Sequence, residues 1–151
     1  MSQLDHAQLA KEALEGLVER MGLSVCVAVA TDDDGSDLLE VTGDDAENLA
    51  HATVIEAVQM LINRMAGRQR GERGPTVFVD AAGYRGRRRA ELQEEARRLA
   101  DEVRDTGRAV AAGRLTSYER RLLHLAIEEE EGVTTRSEGE GRDRRLRVVP
   151  A

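Results

Sequence analysis

The chain has 151 residues, of which 34% are charged, 40% are hydrophobic and only 2% are aromatic. Such a chain can form one ordinary domain or two small ones, and it has enough apolar residues for a core. No apolar run reaches the length of a membrane-spanning helix, and the first residues lack the layout of a signal peptide. The one cysteine, Cys26, excludes an internal disulfide and fits the cytoplasm, and its apolar surroundings predict burial.

The net charge of −7 is unevenly distributed along the chain. Residues 1–63 carry thirteen acids and two bases, whereas residues 64–151 carry sixteen acids and twenty bases. A nucleic acid would therefore be repelled by the first half and tolerated or attracted by the second. Arginine outnumbers lysine by twenty-one to one. A GC-rich genome or a preference for the guanidinium fork that pairs with phosphate would each explain this ratio.

The first part of the chain begins with a predicted helix and two predicted strands. Apolar residues recur at helical spacing over 4–21, and Gly22 ends this helix. The β-rich runs at 23–30 and 37–43 predict two strands, separated by the turn sequence TDDDGS.

One or two helices and a third strand complete this first part. Apolar residues at helical spacing, from Ile55 to Met65, predict a helix that ends at Gly67. The next segment is interpreted as a solvated basic loop, RQRGERGP. It leads into a short strand at 76–80, and Phe78 of this strand is predicted to lie in the core.

The rest of the chain predicts a second unit in the order strand, helix, strand, helix, strand, strand. Its first helix has an apolar stripe from Leu92 to Val103 and ends at Gly107. The run AVAAG at 109–113 can form a strand or an extended link. The final segments, GVTTRSEG and RRLRVV, predict two strands around the loop EGEGRD.

The second helix of this unit has the sequence SYERRLLHLAIEEEEG. Thr116 before it and Glu119 three residues later form a capping-box pattern. The predicted buried face consists of Tyr118, Leu122, Leu125 and Ala126.

From residue 83 onward, the chain resembles the C-terminal half of the Jag, or SpoIIIJ-associated, proteins. The segments that carry this resemblance are GYRGRRRAELQEEARRLADEV, SYERRLLHLAI and GVTTRSEGEGRDRRLRVV. That half of the family is a domain named for an arginine, three residues and a histidine, here Arg120 and His124. The first half, through GLVERMGLSV and EAVQMLINRMAG, is similar to a prokaryotic-type KH domain.

The resemblance implies an α/β (α+β) fold with two small α/β sandwiches. These are a KH-like domain of order αββααβ at 1–80 and an Arg-x-x-x-His domain of order βαβαββ at 81–151. It further implies a cytoplasmic bacterial protein that binds single-stranded RNA, or single-stranded DNA. The implied protein partner is a second copy or another small KH protein, near the membrane insertase, with a role in post-transcriptional, cell-shape or envelope regulation.

One departure from the family concerns the GxxG loop with which KH domains clamp backbone phosphates. The loop falls here on Leu49, Ala50, His51 and Ala52, with neither glycine nor a basic residue, and three acids lie just before it. The side chains of Leu49 and Ala52 would obstruct a close approach of the backbone to phosphate. The KH-like half is therefore expected to have lost direct RNA clamping.

Arg120 and His124 are the central candidates for RNA contact. Four residues apart on a helix, they lie on one face, and Glu128 extends the row. A guanidinium suits phosphate, and an imidazole can hydrogen-bond to a base or stack on it. On spacing alone, an ordinary surface pair, or a histidine that is satisfied by Glu128, is the commoner explanation. The resemblance to the family reverses that preference.

Further candidates come from two basic segments. The sequence YRGRRR places four arginines at the start of a helix, where cations oppose the helix dipole. Phosphate contact and a solvated face explain them equally well; they are Arg85, Arg87, Arg88 and Arg89. The remaining candidates are Arg121 on the Arg120 helix, and Ser137 and Arg144 around the final hairpin, where a plain turn is the alternative.

Catalysis and multi-base stacking are disfavoured. The three histidines are isolated, and no HExxH, CxxC, P-loop or dinucleotide motif is present, so we expect no enzyme, metal or cofactor. With three aromatic residues in the chain, binding should be dominated by the nucleic-acid backbone, weakly sequence-specific and dependent on salt. The alternative function is a protein–protein adaptor that uses the acidic KH-like half, with little RNA binding.

Overall fold

The computed structural model describes residues 3–151, with side chains from His6 onward. The chain divides into two compact units, one that ends at Arg85 and one at Gly86–Ala151. The predicted division into domains at 1–80 and 81–151 stays a prediction, because compactness does not test independent folding. None of the helices in the described part of the chain is long and apolar enough to cross a bilayer.

The first unit contains two long helices and a three-stranded sheet. Its elements are α1 (Gln3–Arg20), β1 (Cys26–Thr31), β2 (Asp37–Thr42), a short 3-10 helix (Ala46–Leu49), α2 (Ala52–Arg70) and β3 (Phe78–Ala81). The strand order is β1-β2-β3, with β1 and β2 antiparallel and β2 and β3 parallel. The predicted KH-like order αββααβ is confirmed, with the 3-10 helix as the first of the two central helices.

The core of the first unit lies between the two long helices and one face of the sheet. Side chains alternate between the faces of a strand, so Leu39 and Val41 of β2 face the helices together with Val79 of β3. They pack with Leu14 of α1 and Ile62 of α2, which are fully buried. Burial of each such side chain stabilises the fold by about 1.5–3 kcal/mol.

Helix α2 continues beyond the predicted end. Gly67 lies inside the helix, which runs to Arg70, and Gly71 with a φ of 79° ends it. A Cβ on Gly67 would lie 3.2 Å from the carbonyl oxygen of Glu72, so glycine here makes room for the returning chain. The prediction that Gly67 ends the helix was therefore wrong, because a glycine needed for close packing resembles a glycine that ends a helix.

Two residues predicted to lie in the core are in other environments. Cys26 is exposed, because β1 is an edge strand and Cys26 alternates with Val27, whose side chain packs against the core. Phe78 is half-buried on the sheet face opposite the core, and the guanidinium carbon of Arg85 lies 5.1 Å from its ring centroid. The apolar character of both segments predicted the strands correctly but not the orientation of these side chains.

The second unit contains two helices and a second three-stranded sheet. Its elements are α3 (Tyr84–Thr106), which begins just before the division, β4 (Val110–Ala111), α4 (Ser117–Glu128), β5 (Val133–Glu138) and β6 (Arg145–Pro150). The strand order is β4-β6-β5, and both pairs are antiparallel. Counted from β3, which hydrogen-bonds into the first sheet, the predicted order βαβαββ is confirmed.

The core of the second unit is formed by one face of this sheet and both helices. Leu92 and Leu99 of α3 pack with Leu123 of α4 and with Leu146 and Val148 of β6. Arg145 and Arg147 alternate with the two β6 core residues, so their side chains leave from the opposite face. The sheet therefore has an apolar inner face that the helices cover and a polar outer face.

The buried face of α4 differs from the predicted one. Its buried residues are Glu119, Leu123 and Ile127. Of the predicted residues, Leu122 and Ala126 are partly buried against the core, whereas Leu125 is 52% exposed. The predicted face was chosen from apolar residues alone. Because Glu119 is charged, it was not counted among the residues of the buried face. The predicted face was therefore displaced by one residue from the observed one.

Gly74→Ala should destabilise the first unit. A Cβ at this position would lie 2.5 Å from Nδ1 of His6, whose side chain is buried on α1 and cannot move aside without disturbing the core. We expect a loss of about 1–3 kcal/mol in the free energy of unfolding, as for other overpacked cores. Urea denaturation followed by circular dichroism measures it.

Gly16→Ala is the matched control in the same unit. Gly16 lies inside α1, and a Cβ there would meet no atom within 4 Å. Alanine should therefore stabilise the helix by up to about 1 kcal/mol. Equal stability of the two variants would contradict the close packing of Gly74 against His6.

Candidate nucleic-acid interface

Helix α4 begins with the predicted capping box. The Glu119 amide donates to Oγ1 of Thr116 at 3.2 Å, and the Thr116 amide donates to Oε2 of Glu119 at 2.8 Å. Two backbone donors that the helix cannot satisfy internally are thereby paired. This cap fixes the residue at which α4 starts.

The same glutamate joins α4 to α3. Oε1 of Glu119 accepts a hydrogen bond from Nε of Arg88 at 2.7 Å, and the two side chains are only 6% and 23% exposed. Arg88 also donates to the exposed Glu91 at 3.0 Å. The buried carboxylate is therefore shared between the helix cap and an arginine of the neighbouring helix, so its removal would release both.

A second arginine of α3 holds the other end of α4. Nε of Arg104 donates to the carbonyl oxygen of Glu131, and Nη2 donates to Oε2 of Glu130, both at 2.9 Å. The hydrogen bond with Glu130 is the main cause that raises the pKa of Arg104 above its ordinary value. Helix α4 is thus fixed against α3 at both ends.

Arg120 lies against the start of its own helix. Nη1 donates to the carbonyl oxygen of Leu115, and Nη2 donates to the hydroxyl of Ser117, both at 3.0 Å. The side chain is half-buried, and these two bonds leave other guanidinium donors available. Its position is therefore set by the protein before any ligand arrives.

His124 contacts the edge strand of the sheet. Its Nδ1 pairs with the hydroxyl of Thr135 on β5, while Oε1 of Glu128 is 4.0 Å away and accepts instead from Thr134. The imidazole is 45% exposed. The hydrogen-bond partner of this histidine is therefore Thr135 rather than Glu128, and its Nε2 has no hydrogen bond among the described residues.

We call the following residues of α4 and β5, which include the His124–Thr135 contact, the α4–β5 surface: Arg120, Arg121, His124, Thr135 and Ser137. Later residues of α4 contact earlier residues of β5, so the two elements run in opposite directions. Ser137 therefore lies further along β5, toward the Arg120 end of the helix. Arg121 and Ser137 are both exposed.

The charges along α4 are polarised. Arg120 and Arg121 lie near its beginning, where the helix dipole is positive, and exposed Arg114 lies in the loop just before it. The run 128–131 places four glutamates at its end. A polyanion would therefore be attracted to the start of α4 and repelled from its end. Arg114 and Thr135 gave no sequence signal, because neither belongs to a recognisable motif.

The four arginines of YRGRRR do not share one environment. Arg85 belongs to the first unit, where its Nη2 lies 3.0 Å from Oδ2 of Asp32 and its side chain is 13% exposed. Arg88 binds Glu119, Arg87 is exposed and Arg89 is half-buried. Arg85 and Arg88 therefore have structural roles, which the alternatives of phosphate contact and a solvated face did not include. RNA contact by any of the four stays a prediction.

The final hairpin presents Arg144 on a tight loop. Arg144 is exposed, and Gly139 before it has a φ of 82°. A Cβ on Gly139 would lie 2.9 Å from the carbonyl oxygen of Asp143, so the loop requires glycine there. The contribution of Arg144 to RNA binding stays a prediction.

Residues 49–52, the predicted counterpart of the KH clamp, are partly in the core. Leu49 and Ala50 are buried, and His51 is exposed at the start of α2, which begins with Ala52. The correspondence of this segment to a GxxG loop, and its loss of RNA clamping, stay predictions. Within residues 3–151, no group of three or more acidic, histidine or cysteine side chains could hold a metal ion.

Glu119→Gln should destabilise the second unit, because it removes the charge of the buried carboxylate that pairs with the mostly buried Arg88. We expect a loss of about 3 kcal/mol in the free energy of unfolding. Glu91→Gln removes the exposed partner of Arg88 and should change stability by less than about 1 kcal/mol. Thermal unfolding of both variants measures the difference, and equal effects would refute a central role for Glu119.

Comparison with known proteins agrees with this arrangement. Residues 90–150 match the R-three-H domain family, which is named for its arginine, three residues and histidine. Over 132 residues, the chain is 28% identical to a protein named RNA-binding protein KhpB from Clostridium symbiosum, covering 85% of this chain and 59% of the relative. Over 101 residues, it is 37% identical to RNA-binding protein KhpB from Lactiplantibacillus plantarum, covering 67% of this chain and 30% of that relative.

The chain therefore spans less than two thirds of the length of either relative. The predicted arrangement of a KH-like unit followed by an Arg-x-x-x-His domain is confirmed. Residues 90–150 form an R-three-H domain, and the chain is a homologue of the KhpB proteins of the Jag family.

Proposed function

We propose that this protein binds single-stranded RNA through the α4–β5 surface of its R-three-H domain. The observation that carries the proposal is the position of Arg120 and His124, fixed by hydrogen bonds and partly open to solvent on a helix held at both ends. The relatives named RNA-binding protein KhpB support the choice of RNA. Their names do not identify an enzyme, and we propose no catalytic role.

The mode of binding follows from the groups available. Arg121 and the remaining donors of Arg120 pair with phosphates, and His124 contacts a base or a sugar through the open side of its ring. Tyr118, half-buried, is the one aromatic residue of α4. With so little surface for stacking, binding is dominated by the RNA backbone and is only weakly sequence-specific.

The other candidate residues have secondary places in this proposal. Exposed Arg87, Ser137 and Arg144 are further phosphate contacts, and half-buried Arg89 is a weaker candidate. Arg85 and Arg88 contribute mainly through the fold, since both bind carboxylates. The biological role that we propose is post-transcriptional or cell-envelope regulation in the cytoplasm. We also propose that the boundary between the two domains lies between residues 80 and 81.

Arg121→Ala should weaken RNA binding with little change in stability, because Arg121 is exposed and has no ion pair within residues 3–151. Removal of one phosphate contact should lower the slope of log affinity against log salt by about 1. Fluorescence anisotropy with a labelled single-stranded RNA, repeated at several salt concentrations, measures both quantities.

His124→Gln, in the same assay, tests the second residue and should weaken binding with little effect on the salt slope. Arg97→Ala is the matched control, because Arg97 is an exposed arginine of α3 outside the α4–β5 surface. Wild-type affinity that does not fall with salt, or equal affinities for Arg97→Ala and Arg121→Ala, would refute the assignment of this surface.

The alternative function is that of an adaptor that uses the KH-like unit. The observation that favours it is a group of exposed apolar residues on α2, Met60, Leu61 and Met65, in the unit whose clamp segment is buried. The proposed partner is a second copy or another small KH protein. Leu61→Glu should then lower the molar mass measured by light scattering, or abolish capture of the partner. A wild-type monomer that captures no KH protein would exclude this alternative.

A further inference from the structure

We infer that the outer face of the R-three-H sheet is a second RNA-binding surface, formed by Arg136 of β5 and by Arg145 and Arg147 of β6. We call it the outer arginine face. The inference rests on the proposed function and extends it. One RNA strand contacts the α4–β5 surface, passes around the edge of the sheet and continues along this face.

The strand register brings the three arginines together. Arg136 is directly opposite Arg147, and Glu138 is directly opposite Arg145, on the face that the helices leave uncovered. The intervening residues Leu146 and Val148 are buried on the inner face. Side chains directly opposite each other are about 5 Å apart at Cβ, and those two residues apart along a strand are about 7 Å apart.

The three arginines on one sheet face lower the stability of the fold when no ligand is bound. Like charges that are directly opposite on neighbouring strands are destabilising, and Arg136 and Arg147 form such a pair. The one carboxylate among the paired outer positions, that of Glu138, lies 3.4 Å from Arg147. Three cations therefore share one anion on this face.

Contacts with the protein use little of the binding capacity of Arg136 and Arg145. Arg136 is exposed and has no hydrogen bond or ion pair in the described part of the chain. The side-chain bonds of Arg145 go to the carbonyl oxygens of Arg142 and Arg144 at 3.5 and 3.4 Å, near the limit for a hydrogen bond. A polyanion would relieve the repulsion and fill the remaining donors, and phosphate matches the guanidinium fork.

The edge position of β5 connects this face to the α4–β5 surface. The strand order β4-β6-β5 leaves one side of β5 without a neighbouring strand. Thr135 and Ser137 of β5 point toward the helix side, and Arg136 between them points to the outer face. An RNA strand can therefore pass around β5 without crossing another element of the sheet.

The test uses two lengths of RNA and a triple variant, Arg136→Thr with Arg145→Thr and Arg147→Thr. Threonine retains strand propensity, and loss of the repulsion should leave thermal stability unchanged or raised. For RNA of about 16 nucleotides, affinity should fall by at least about tenfold and the salt slope by about 2–3. For RNA of about 4 nucleotides, which covers only the α4–β5 surface, affinity should be unchanged.

The control is a triple variant with the same loss of charge at exposed arginines elsewhere in the unit, Arg97→Thr with Arg98→Thr and Arg108→Thr. If both triple variants bind the long RNA equally well, the outer face is not a binding surface. Loss of short-RNA binding in the Arg136 triple variant would overturn the two-surface path. If the Arg136 triple variant lost affinity for polyglutamate by the same factor as for RNA, the outer face would instead bind an acidic protein partner. Absence of RNA binding by the wild-type protein would overturn the proposed function itself. Loss of RNA affinity in the Arg121 variant, with none in the Arg136 triple variant, would support the proposed function and overturn the second surface.

Discussion

The geometry of the R-three-H domain depends on one buried carboxylate. Glu119 caps the first turn of α4 through the Thr116 amide and binds Arg88 of α3, so it fixes both where the helix begins and how it lies against its neighbour. Arg104 repeats the constraint at the other end through Glu130 and the Glu131 carbonyl. Because the helix is fixed at two points, the positions of Arg120 and His124 are set by the fold before any ligand binds.

The two units differ in the sign and position of their charges. The first carries the net negative charge of the chain, and Leu49, in the segment predicted to correspond to the KH clamp, is buried. The second has arginines at the start of α4 and on the outer sheet face, and a run of four glutamates, 128–131, at the end of α4. RNA would therefore be directed to one unit, and the other would remain available for a protein partner.

The order of helices and strands could be predicted from sequence because hydrophobic periodicity and turn glycines are local signals. Local signals failed where the role of a residue depends on how the chain packs in the fold. Gly67 appeared to end a helix, but it provides space for the Glu72 carbonyl. Glu119 was recognised as a cap, but its burial with Arg88, thirty-one residues earlier, depends on the packing of two helices. Cys26 was expected in the core because strand sequence does not reveal which strand lies at an edge.

The central pair of the candidate site, Arg120 and His124, could be predicted from sequence. The contacts that hold these two side chains in position could not. The spacing of Arg120 and His124 placed them on one helix face. The Leu115 partner of Arg120 depends on the loop before α4, and the Thr135 partner of His124 depends on how the chain returns along β5. The Arg136–Arg147 pair arises from strand register, which a single sequence does not fix.

The ion pair between Arg88 and Glu119 affects how substitutions in the arginine-rich segment should be understood. An alanine scan would record lower RNA affinity at Arg88 even if that side chain never meets a nucleotide, since α4 would lose its anchor. Replacing both residues together with two apolar residues of similar volume would distinguish an effect on the position of α4 from the loss of a contact with RNA. In evolution, the two positions would be expected to change together rather than singly.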